Sequence, residues 1–386
     1  MKIGILTQPL KSNYGGILQA YALQTTLERL GHEVVVLDRQ PGEASMPYVY
    51  FCRSLSFFKS LVRKILLRDS KIVLCSPFTK DEYISTIDDC YAALLSSFIK
   101  NHIKKTTSIY SSQALKKYVE SNLDSVVVGS DQVWREDYSP CITNYFLDFI
   151  SDGKYDYVKK ISYAASFGTS VNPISEMKLD TCIQLSKKFH SLSVREKSGV
   201  DYMRDVFSQQ AELVLDPTLL LSKEDYLSLI ESKDNQPSGI VSYILDEDLE
   251  KTKILDDVCS VKSARHSHLT LEIYDVKGNI RQLESVSKWL ASFANADFVV
   301  TDSFHGCVFS IIFQKNFIVI GNKDRGLDRF YSLLENFGLL DRLVLSYEAY
   351  ARKKESLYRN IDYRKIGETH KELKGKSMNY LIESLK

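Results

Sequence analysis

Short apolar runs alternate with longer amphipathic segments along most of the chain. The first apolar run, residues 3–6, precedes a turn with two glycines, a helical pattern over residues 17–30 and a second predicted strand at residues 34–38, apolar up to residue 37. This order predicts a βαβ unit, because apolar runs bounded by turn residues indicate buried strands and a 3.6-residue period indicates a helix. Further strands of this kind are predicted at residues 125–128, 160–165, 191–194 and 213–215. Strands that are apolar throughout are typical of a parallel sheet covered by helices.

A polar segment interrupts the alternation at residues 232–239 (SKDNQPSG), which contain Pro and Gly but no apolar residue. Such a composition is typical of a linker, so we predict two α/β domains, residues 1–231 and 232–386. Strands are predicted beyond the linker at 240–245, 269–273, 298–301 and 317–320, and helices at 249–258, 285–294, 305–313 and 327–337. The tail at 362–386 has helical propensity, and whether it packs back on the first domain stays open at this stage.

Residues 46–121 fit the alternation poorly and are predicted to be a helical insertion in the first domain. Residues 46–80 contain seven basic residues and one acidic residue, Asp69, and the basic residues are interleaved with apolar ones. This pattern is compatible with a basic amphipathic helix. One interpretation is an insertion that packs on the sheet with a solvated basic face. The other is a surface that approaches an anionic membrane or a diphosphate-linked acceptor.

The composition excludes several classes of protein. Lys and Arg number 50 and Asp and Glu 49 in 386 residues, so no global field attracts nucleic acid. The seven Cys are scattered without a C-x-x-C pair, which argues against a disulfide framework or a zinc site and favours a reducing cytoplasm. We expect neither a signal peptide nor a membrane-spanning helix, because no charged-then-apolar leader and no sufficiently long apolar run is present.

Residues 301–306 (TDSFHG) form the most prominent polar segment among these elements. They directly follow the apolar run at residues 298–300 and precede an apolar helical segment. Open α/β sheets bind ligands at the carboxyl ends of their strands, opposite helix N-termini. The segment is therefore a candidate ligand site, in which His305 is placed for chemistry. Asp302 and Ser303 fit equally well as the N-cap of the following helix.

Four motifs together resemble one enzyme family. They are NYGGILQA at residues 13–20, VGSDQVW at 128–134, SVRE at 193–196 and TDSFHG at 301–306. In this order and spacing they resemble the polysaccharide pyruvyl transferase family, and the resemblance runs from residue 3 to about residue 335. It implies two Rossmann-like domains with an interdomain cleft, arranged as in GT-B glycosyltransferases. It also implies that pyruvate is taken from phosphoenolpyruvate and installed as a ketal on two hydroxyls of a sugar, in cell-surface or exopolysaccharide biosynthesis.

The resemblance also assigns roles to individual residues. By position, His305 is the proposed general acid and Arg195 a cation that binds the donor. Many family members have an Arg two residues before the histidine, whereas this chain has Ser303, kept here as a substrate-binding candidate. Lys323 and Arg325, predicted just after a strand, are candidates to replace that cation. A solvated turn whose basic side chains pair with neighbouring acids fits them equally well.

The implied reaction needs an acid, a base and cations, because protonation of the enol phosphate creates a carbon that sugar hydroxyls attack. A histidine suits the acid near neutral pH, and the planar fork of arginine matches carboxylate and phosphate oxygens. Asp131, in a turn after a buried strand, is the candidate base, although a turn-stabilising role fits as well. Asn13, Tyr14 and Gly15 are expected to line the cleft, and Trp134 either stacks on a sugar or is buried.

Two alternatives to pyruvyl transfer stay open. One is a GT-B-type glycosyltransferase that uses a nucleotide sugar, since fold alone does not determine function. The other is a non-catalytic saccharide-binding relative, motivated by Ser303. The expected partners are phosphoenolpyruvate and a saccharide acceptor, free or lipid-linked, without a metal, a cofactor or nucleic acid. The expected location is the cytoplasm, including contact with the inner face of the membrane.

Overall fold

The computed structural model describes most of the chain. The described residues are 1–11, 13–42, 95–150, 157–169, 173–232, 239–269, 284–322 and 326–386, together with 54, 58, 61 and 62. Several predictions lie outside them, namely most of the linker at 232–239, most of the basic segment at 46–80, and both Lys323 and Arg325.

A parallel sheet forms the centre of the first domain. Its strands are β1 (Lys2–Leu6), β2 (Glu33–Val36), β3 (Ser125–Val128) and β4 (Lys159–Ser162), in the order β2-β1-β3-β4. Two short parallel strands, β5 (Ser193–Val194) and β6 (Glu212–Leu213), continue beyond β4 through a bridge between Ala165 and Val194. This order places the switch point between β1 and β3, where the chain reverses its direction of progress across the sheet.

Five α-helices cover this sheet within the described part of the first domain. They are α1 (Tyr14–Arg29), α2 (Ser112–Asn122), α3 (Glu176–Ser186), α4 (Lys197–Asp205) and α5 (Lys223–Leu227). Residues 95–102 are also helical, and short 3₁₀ helices lie at Glu136–Tyr138, Ile142–Phe146, Asp148–Ile150 and Pro217–Leu220. Helix α1 is buried along most of its length, so its polar Gln19 needs an internal partner and donates from Nε2 to Thr7 Oγ1 at 2.8 Å.

The second domain repeats the same architecture. Its strands are β7 (Ile240–Tyr243), β8 (His266–His268), β9 (Phe298–Thr301), β10 (Asn316–Ile320) and β11 (Leu343–Val344), all parallel in the order β11-β10-β9-β7-β8. Its helices are α6 (Leu249–Lys262), α7 (Val286–Asn295), α8 (Phe304–Ile312), α9 (Asp328–Asn336) and α10 (Tyr347–Leu357), with a 3₁₀ turn at Leu340–Arg342. The switch point lies between β7 and β9.

One predicted strand lies elsewhere than expected. The strand predicted from residue 269 is wrong at its start, because β8 is His266–His268 and Leu269 already lies outside it. A search for apolar runs does not detect this strand, because all three of its residues are polar. The Ser242 hydroxyl of β7 hydrogen-bonds both imidazoles, to His266 Nε2 at 2.8 Å and His268 Nδ1 at 2.7 Å.

The C-terminal helix α11 (Tyr363–Leu385) joins the two domains. At its start, the Tyr363 hydroxyl donates to the Lys315 carbonyl of the second domain. Further along, Tyr380 donates to the Ser162 carbonyl at 2.8 Å, in the first domain. The predicted α/β fold of two Rossmann-like domains in a GT-B-like arrangement is confirmed by the two sheets and this crossing. In the part of the chain that the structure describes, α11 and the other helices lack the combined length and apolarity needed to cross a membrane.

Candidate active site

The two switch points face each other across the domain junction, and His305 lies between them. It occupies the first turn of α8, after β9, and its ring packs on Gly15 in the first turn of α1, after β1. A Cβ atom added to Gly15 would lie 1.9 Å from His305 Nδ1. Only glycine therefore allows this approach, and the N-termini of two helices converge on one imidazole.

The turn that carries His305 is held by its own polar residues. Ser303 is the N-cap of α8, and its Oγ accepts a hydrogen bond from the Gly306 amide at 3.3 Å. Asp302 is buried and accepts from the Leu245 amide at 2.6 Å and from Lys251 Nζ at 3.0 Å. Ser303 thus has the capping role, whereas Asp302 anchors the turn to β7 and α6. The substrate-binding role of Ser303 stays a prediction.

Asp216 and Arg195 lie beside His305 in the same buried cluster. Asp216 Oδ2 is 3.7 Å from His305 Nε2, an ion-pair distance beyond hydrogen-bond range, and accepts from Arg195 Nη1 at 2.7 Å. Its other oxygen, Oδ1, accepts from the amide and hydroxyl of Thr218 at 3.0 and 2.6 Å. Asp216 is therefore a fixed negative charge between the imidazole and the guanidinium.

The electrostatics of Asp216 follow from these contacts. Burial alone would raise the pKa of this carboxyl, but the adjacent His305, Arg195 and Thr218 outweigh burial and hold its pKa well below its usual range. Burial alone would lower the pKa of Arg195, but the neighbouring carboxylates of Asp216 and Asp131 outweigh burial and raise this pKa. Both groups are charged at neutral pH, so the cluster holds a permanent ion pair.

Asp131 belongs to the same cluster through Arg195. Its Oδ1 lies 3.7 Å from Arg195 Nη2 and accepts from the Gln132 amide at 2.9 Å, while Oδ2 accepts from Asn13 Nδ2 at 3.4 Å. The backbone of Asp131 has φ 77°, in the left-handed region that non-glycine residues rarely adopt. Such strain persists only where the surrounding structure enforces it, which is common at functional sites.

Phe304 brings a second buried arginine close to the first. The Cζ atoms of Arg195 and Arg329 lie 4.4 and 5.5 Å from the centre of the Phe304 ring, within cation–π range. Burial, and next the repulsion of Arg195, lower the pKa of Arg329 to about 10. Arg329 is in the first turn of α9 and was not predicted as a site residue, because nothing in the linear sequence relates it to His305.

Glu196 is the other buried acid that sequence reasoning did not assign to the site. Its Oε1 accepts from the Ser166 hydroxyl and the Phe167 amide, both at 2.9 Å. Burial raises the pKa of Glu196, and the charges of Arg195 and Arg329 oppose that rise only in part. Its position directly after Arg195 in the SVRE motif is the signal that could have indicated it. Asp216 had a similar signal, because it follows a predicted strand in an Asp-Pro-Thr turn.

Two predicted residues have buried aromatic rings. The Tyr14 ring stacks on Trp289 with centroids 5.4 Å apart, and its hydroxyl donates to the Glu284 carbonyl, so it joins the domains. Trp134 stacks on Phe146 at 5.1 Å inside the first domain. Since Trp134 has no exposed surface, stacking on a sugar is wrong and burial is its role. Within the described ranges, no cluster of three or more His, Cys, Asp or Glu could hold a metal ion.

Comparison of the sequence with family models shows to which enzyme family the chain belongs. The model of polysaccharide pyruvyl transferase matches residues 13–324, which is most of the chain. The chain belongs to this family. The match includes the turns that carry His305, Arg195 and Asp131, so the resemblance predicted from four motifs is confirmed. Polysaccharide pyruvylation is the activity that this family membership supports. No curated protein matches the chain.

Several solved structures resemble this pyruvyl transferase family member at low identity. The UDP-GlcNAc 2-epimerase of Methanocaldococcus jannaschii in complex with UDP-GlcNAc and UDP is 12% identical, with 94% of each chain covered and a TM-score of 0.49. That of Neisseria meningitidis bound to UDP-GlcNAc is 10% identical over 100% of this chain and 99% of its own, also at 0.49. UGT89C1 of Arabidopsis thaliana complexed with UDP-L-rhamnose is 11% identical over 99% and 98%, again at 0.49.

Proposed function

We propose that this chain moves pyruvate from phosphoenolpyruvate onto two hydroxyls of a saccharide, forming a pyruvate ketal in the biosynthesis of a cell-surface polysaccharide or exopolysaccharide. The observation that carries this proposal is the buried set of His305, Asp216 and Arg195 at the domain junction. Phosphoenolpyruvate is the proposed donor substrate, no cofactor is proposed, and the acceptor is a free or lipid-linked saccharide. The reaction is proposed to take place in the cytoplasm, including at the inner face of the membrane.

His305 is the proposed acid. Imidazole transfers protons efficiently near neutral pH, and the ionised Asp216 at 3.7 Å from Nε2 attracts the protonated ring. Gly15 closes the opposite side of the ring, so the imidazole has little freedom to turn away. Its Nε2 has no hydrogen-bond partner among the described residues, so this is the atom from which we propose that the proton is transferred.

The donor carries a carboxylate and a phosphate, and Arg195 is the proposed cation for it. The guanidinium uses Nη1 on Asp216, whereas Nε and Nη2 make no hydrogen bond within the described part of the chain. This free edge has the geometry that binds two oxygens of a carboxylate or phosphate. The N-termini of α1 and α8 add partial positive charge at the same place.

Two bonds to one carbon form in the proposed reaction. First, His305 gives its proton to the methylene carbon of the donor, and a sugar hydroxyl oxygen bonds to the neighbouring carbon while Asp131 accepts that hydroxyl's proton. Second, another hydroxyl oxygen bonds to the same carbon as the bond to the phosphate oxygen breaks. The phosphate leaves with the electron pair and one proton. That proton comes from Asp131, and the proton of the second hydroxyl restores His305, so both residues are regenerated and protons and charge balance.

Incubation with phosphoenolpyruvate and candidate oligosaccharides, free and lipid-linked, tests this proposal. We expect release of inorganic phosphate together with the mass gain of a pyruvate ketal on the acceptor. Consumption of a nucleotide sugar, with no phosphate released from phosphoenolpyruvate, would reveal a glycosyltransferase instead. Saccharide binding without turnover of either donor would indicate a non-catalytic relative.

Substitution of His305 by Ala tests its role as the acid. We expect the rate of ketal formation to fall by at least ~100-fold, the usual contribution of a general acid, while the protein stays folded. His102→Ala is the control, because that exposed histidine lies outside the cluster and its loss leaves the rate unchanged. An undiminished rate in His305→Ala would rule out the assigned mechanism.

A further inference from the structure

The site contains one cation that neither the sequence motifs nor the family resemblance assigns. Arg329 lies on α9, far in sequence from Arg195, and both guanidinium carbons lie within 5.5 Å of the centre of the same Phe304 ring. Phe304 directly precedes His305, so the ring links both guanidinium groups to the proposed acid. The His305 ring itself packs on Phe304 in a T-shaped contact, with centroids 5.2 Å apart.

Both arginines are removed from solvent, which makes their proximity significant. Arg195 is 5% exposed and Arg329 is 7% exposed. Burial, and next the repulsion of Arg195, lower the pKa of Arg329, while Asp131 and Glu196 oppose this in part. Arg195 balances its charge mainly on Asp216, at 2.7 Å. An anion that contacts both guanidinium groups would offset this repulsion.

Arg329 also lies where it can supply the positive charge that Ser303 lacks. Ser303 caps α8 and leaves the place two residues before the histidine without a positive charge. The first turn of α9 brings Arg329 to the same helix end from another element, through its contact with Phe304. A cation can therefore reach the start of α8 without coming from position 303.

We infer that Arg195 and Arg329 form a two-guanidinium site for the carboxylate and the phosphate of one small donor, in which Arg329 replaces the cation absent at Ser303. The inference rests on the proposed function for the identity of the donor. It names Arg329 as a binding residue for that donor. Because each guanidinium offers a planar pair of N–H donors, a ligand with two anionic groups binds better than one with a single group.

Calorimetric titration without an acceptor tests the inference. The wild-type protein should bind phosphoenolpyruvate more tightly than inorganic phosphate or pyruvate. Arg329→Gln should weaken phosphoenolpyruvate binding by at least ~10-fold, the value of one lost charge-assisted pair. Arg352→Gln is the matched control, since Arg352 is exposed on α10 and pairs with Glu348 of the same helix. Its affinity should equal that of the wild type.

Two further variants separate binding from folding. Arg329→Lys keeps the charge without the bidentate fork, so it should bind phosphoenolpyruvate more tightly than Arg329→Gln and more weakly than the wild type. If Arg329→Gln does not fold, wild-type affinity in Arg329→Lys overturns the proposed bidentate contact. Adding Ser303→Arg to Arg329→Gln should recover part of the lost affinity, which a purely structural role of Arg329 would not allow.

The outcomes distinguish this inference from the proposed function. If Arg329→Gln folds and binds phosphoenolpyruvate as tightly as the wild type, the two-arginine site is overturned while pyruvyl transfer stands. If the wild type does not bind phosphoenolpyruvate, the proposed donor is wrong. In that case, titration with inorganic phosphate tests the two-arginine site. Weaker phosphate binding by Arg329→Gln than by the wild type supports the site, and a wild type that does not bind phosphate overturns it.

Discussion

At the scale of single residues, the contacts of His305 explain why its neighbours are what they are. Gly15 touches the ring so closely that no side chain fits, and Asp216 holds a negative charge on the opposite side. Arg195 in turn fixes Asp216. Each of these residues restricts the position of the imidazole, and catalysis depends on such restriction because small displacements of reacting groups cost large factors in rate.

Gly15→Ala should therefore abolish most of the activity without unfolding the protein. The new methyl group would lie 1.9 Å from His305 Nδ1, so the ring must move. We expect the turnover number to fall by about 100-fold, measured as phosphate release. Gly367→Ala is the matched control on α11, where nothing lies within 4 Å of the added carbon. It should keep full activity and gain up to about 1 kcal/mol of stability through helix propensity.

The ion pair of Asp216 should give the protein a characteristic acid sensitivity. The folded-state pKa of Asp216 lies well below its ordinary value, so its stabilising effect is present above about pH 4 and is lost as the pH falls below that value. Asp216→Asn should start less stable but lose less on acidification. The slope of unfolding free energy against pH should be shallower by up to about 1.4 kcal/mol per pH unit.

Thermal melts between about pH 4 and pH 2 measure this slope. Asp297→Asn serves as the control, because Asp297 is exposed at the start of β9 and outside the cluster. Parallel acid profiles for Asp216→Asn and the wild type would mean that the Asp216 ion pair does not contribute to stability.

At the scale of elements, α8 combines a structural and a functional task. Every residue of this helix is buried, and its first turn carries Phe304 and His305 to the domain junction. The N-cap Ser303 decides where the helix begins, since its side chain satisfies the Gly306 amide. The direction of His305 therefore depends on a cap, as well as on its own packing.

Ser303→Ala tests this dependence. Loss of the cap should cost about 1 kcal/mol of unfolding free energy. Because the start of α8 then loosens, the turnover number should also fall, by about 10-fold. Ser346→Ala removes the equivalent cap of α10, where Ser346 accepts from the Ala349 amide at 3.1 Å. The control should lose similar stability and no activity; equal activity in both variants would show that capping of α8 is irrelevant to catalysis.

At the scale of the whole molecule, the two domains are joined by an apolar cluster to which both contribute, and each has a further cluster of its own. A continuous cluster of buried residues runs from β1 and α1 of the first domain through α7 and α8 of the second. Tyr14 and Trp289 stack within it, and α11 binds both domains. On the other side of the site, Gly326 of the second domain touches Gly168 of the first through their backbones. The two domains are thus joined at several points.

Gly326→Ala should open this junction. Gly326 has φ +85°, and an added Cβ would lie 1.7 Å from the Gly168 carbonyl oxygen. Gly338→Ala is the matched control, because Gly338 has φ +64° with nothing within 4 Å. Both variants should lose roughly 1–2 kcal/mol of stability through backbone strain. Only Gly326→Ala should increase the radius of gyration in X-ray scattering and lower the activity; identical scattering would show that this contact does not hold the domains together.

Much of the architecture can be predicted from the sequence by itself. The buried parallel strands at 125–128 and 298–301 were predicted to the residue, because continuous apolar runs indicate strands covered on both faces. The ordered motifs identified the family, which the family model confirms. The turn with His305 was found by its place after a strand. Among the described residues, β8 was misplaced, since its histidines carry no apolar signal, and β11 and α10 were not predicted.

The tertiary structure decided which charged groups meet. Asp216, Arg195 and His305 are more than twenty residues apart from one another in sequence. The pairing of β5 with β6 brings Arg195 to Asp216, and only the packing of the two domains places His305 beside them. Arg329 reaches the same place from a separate helix. Local patterns report which face of an element is buried, but side-chain contacts between domains depend on how the domains pack. The sequence therefore determined the elements, the family and the histidine, and the packing determined its partners.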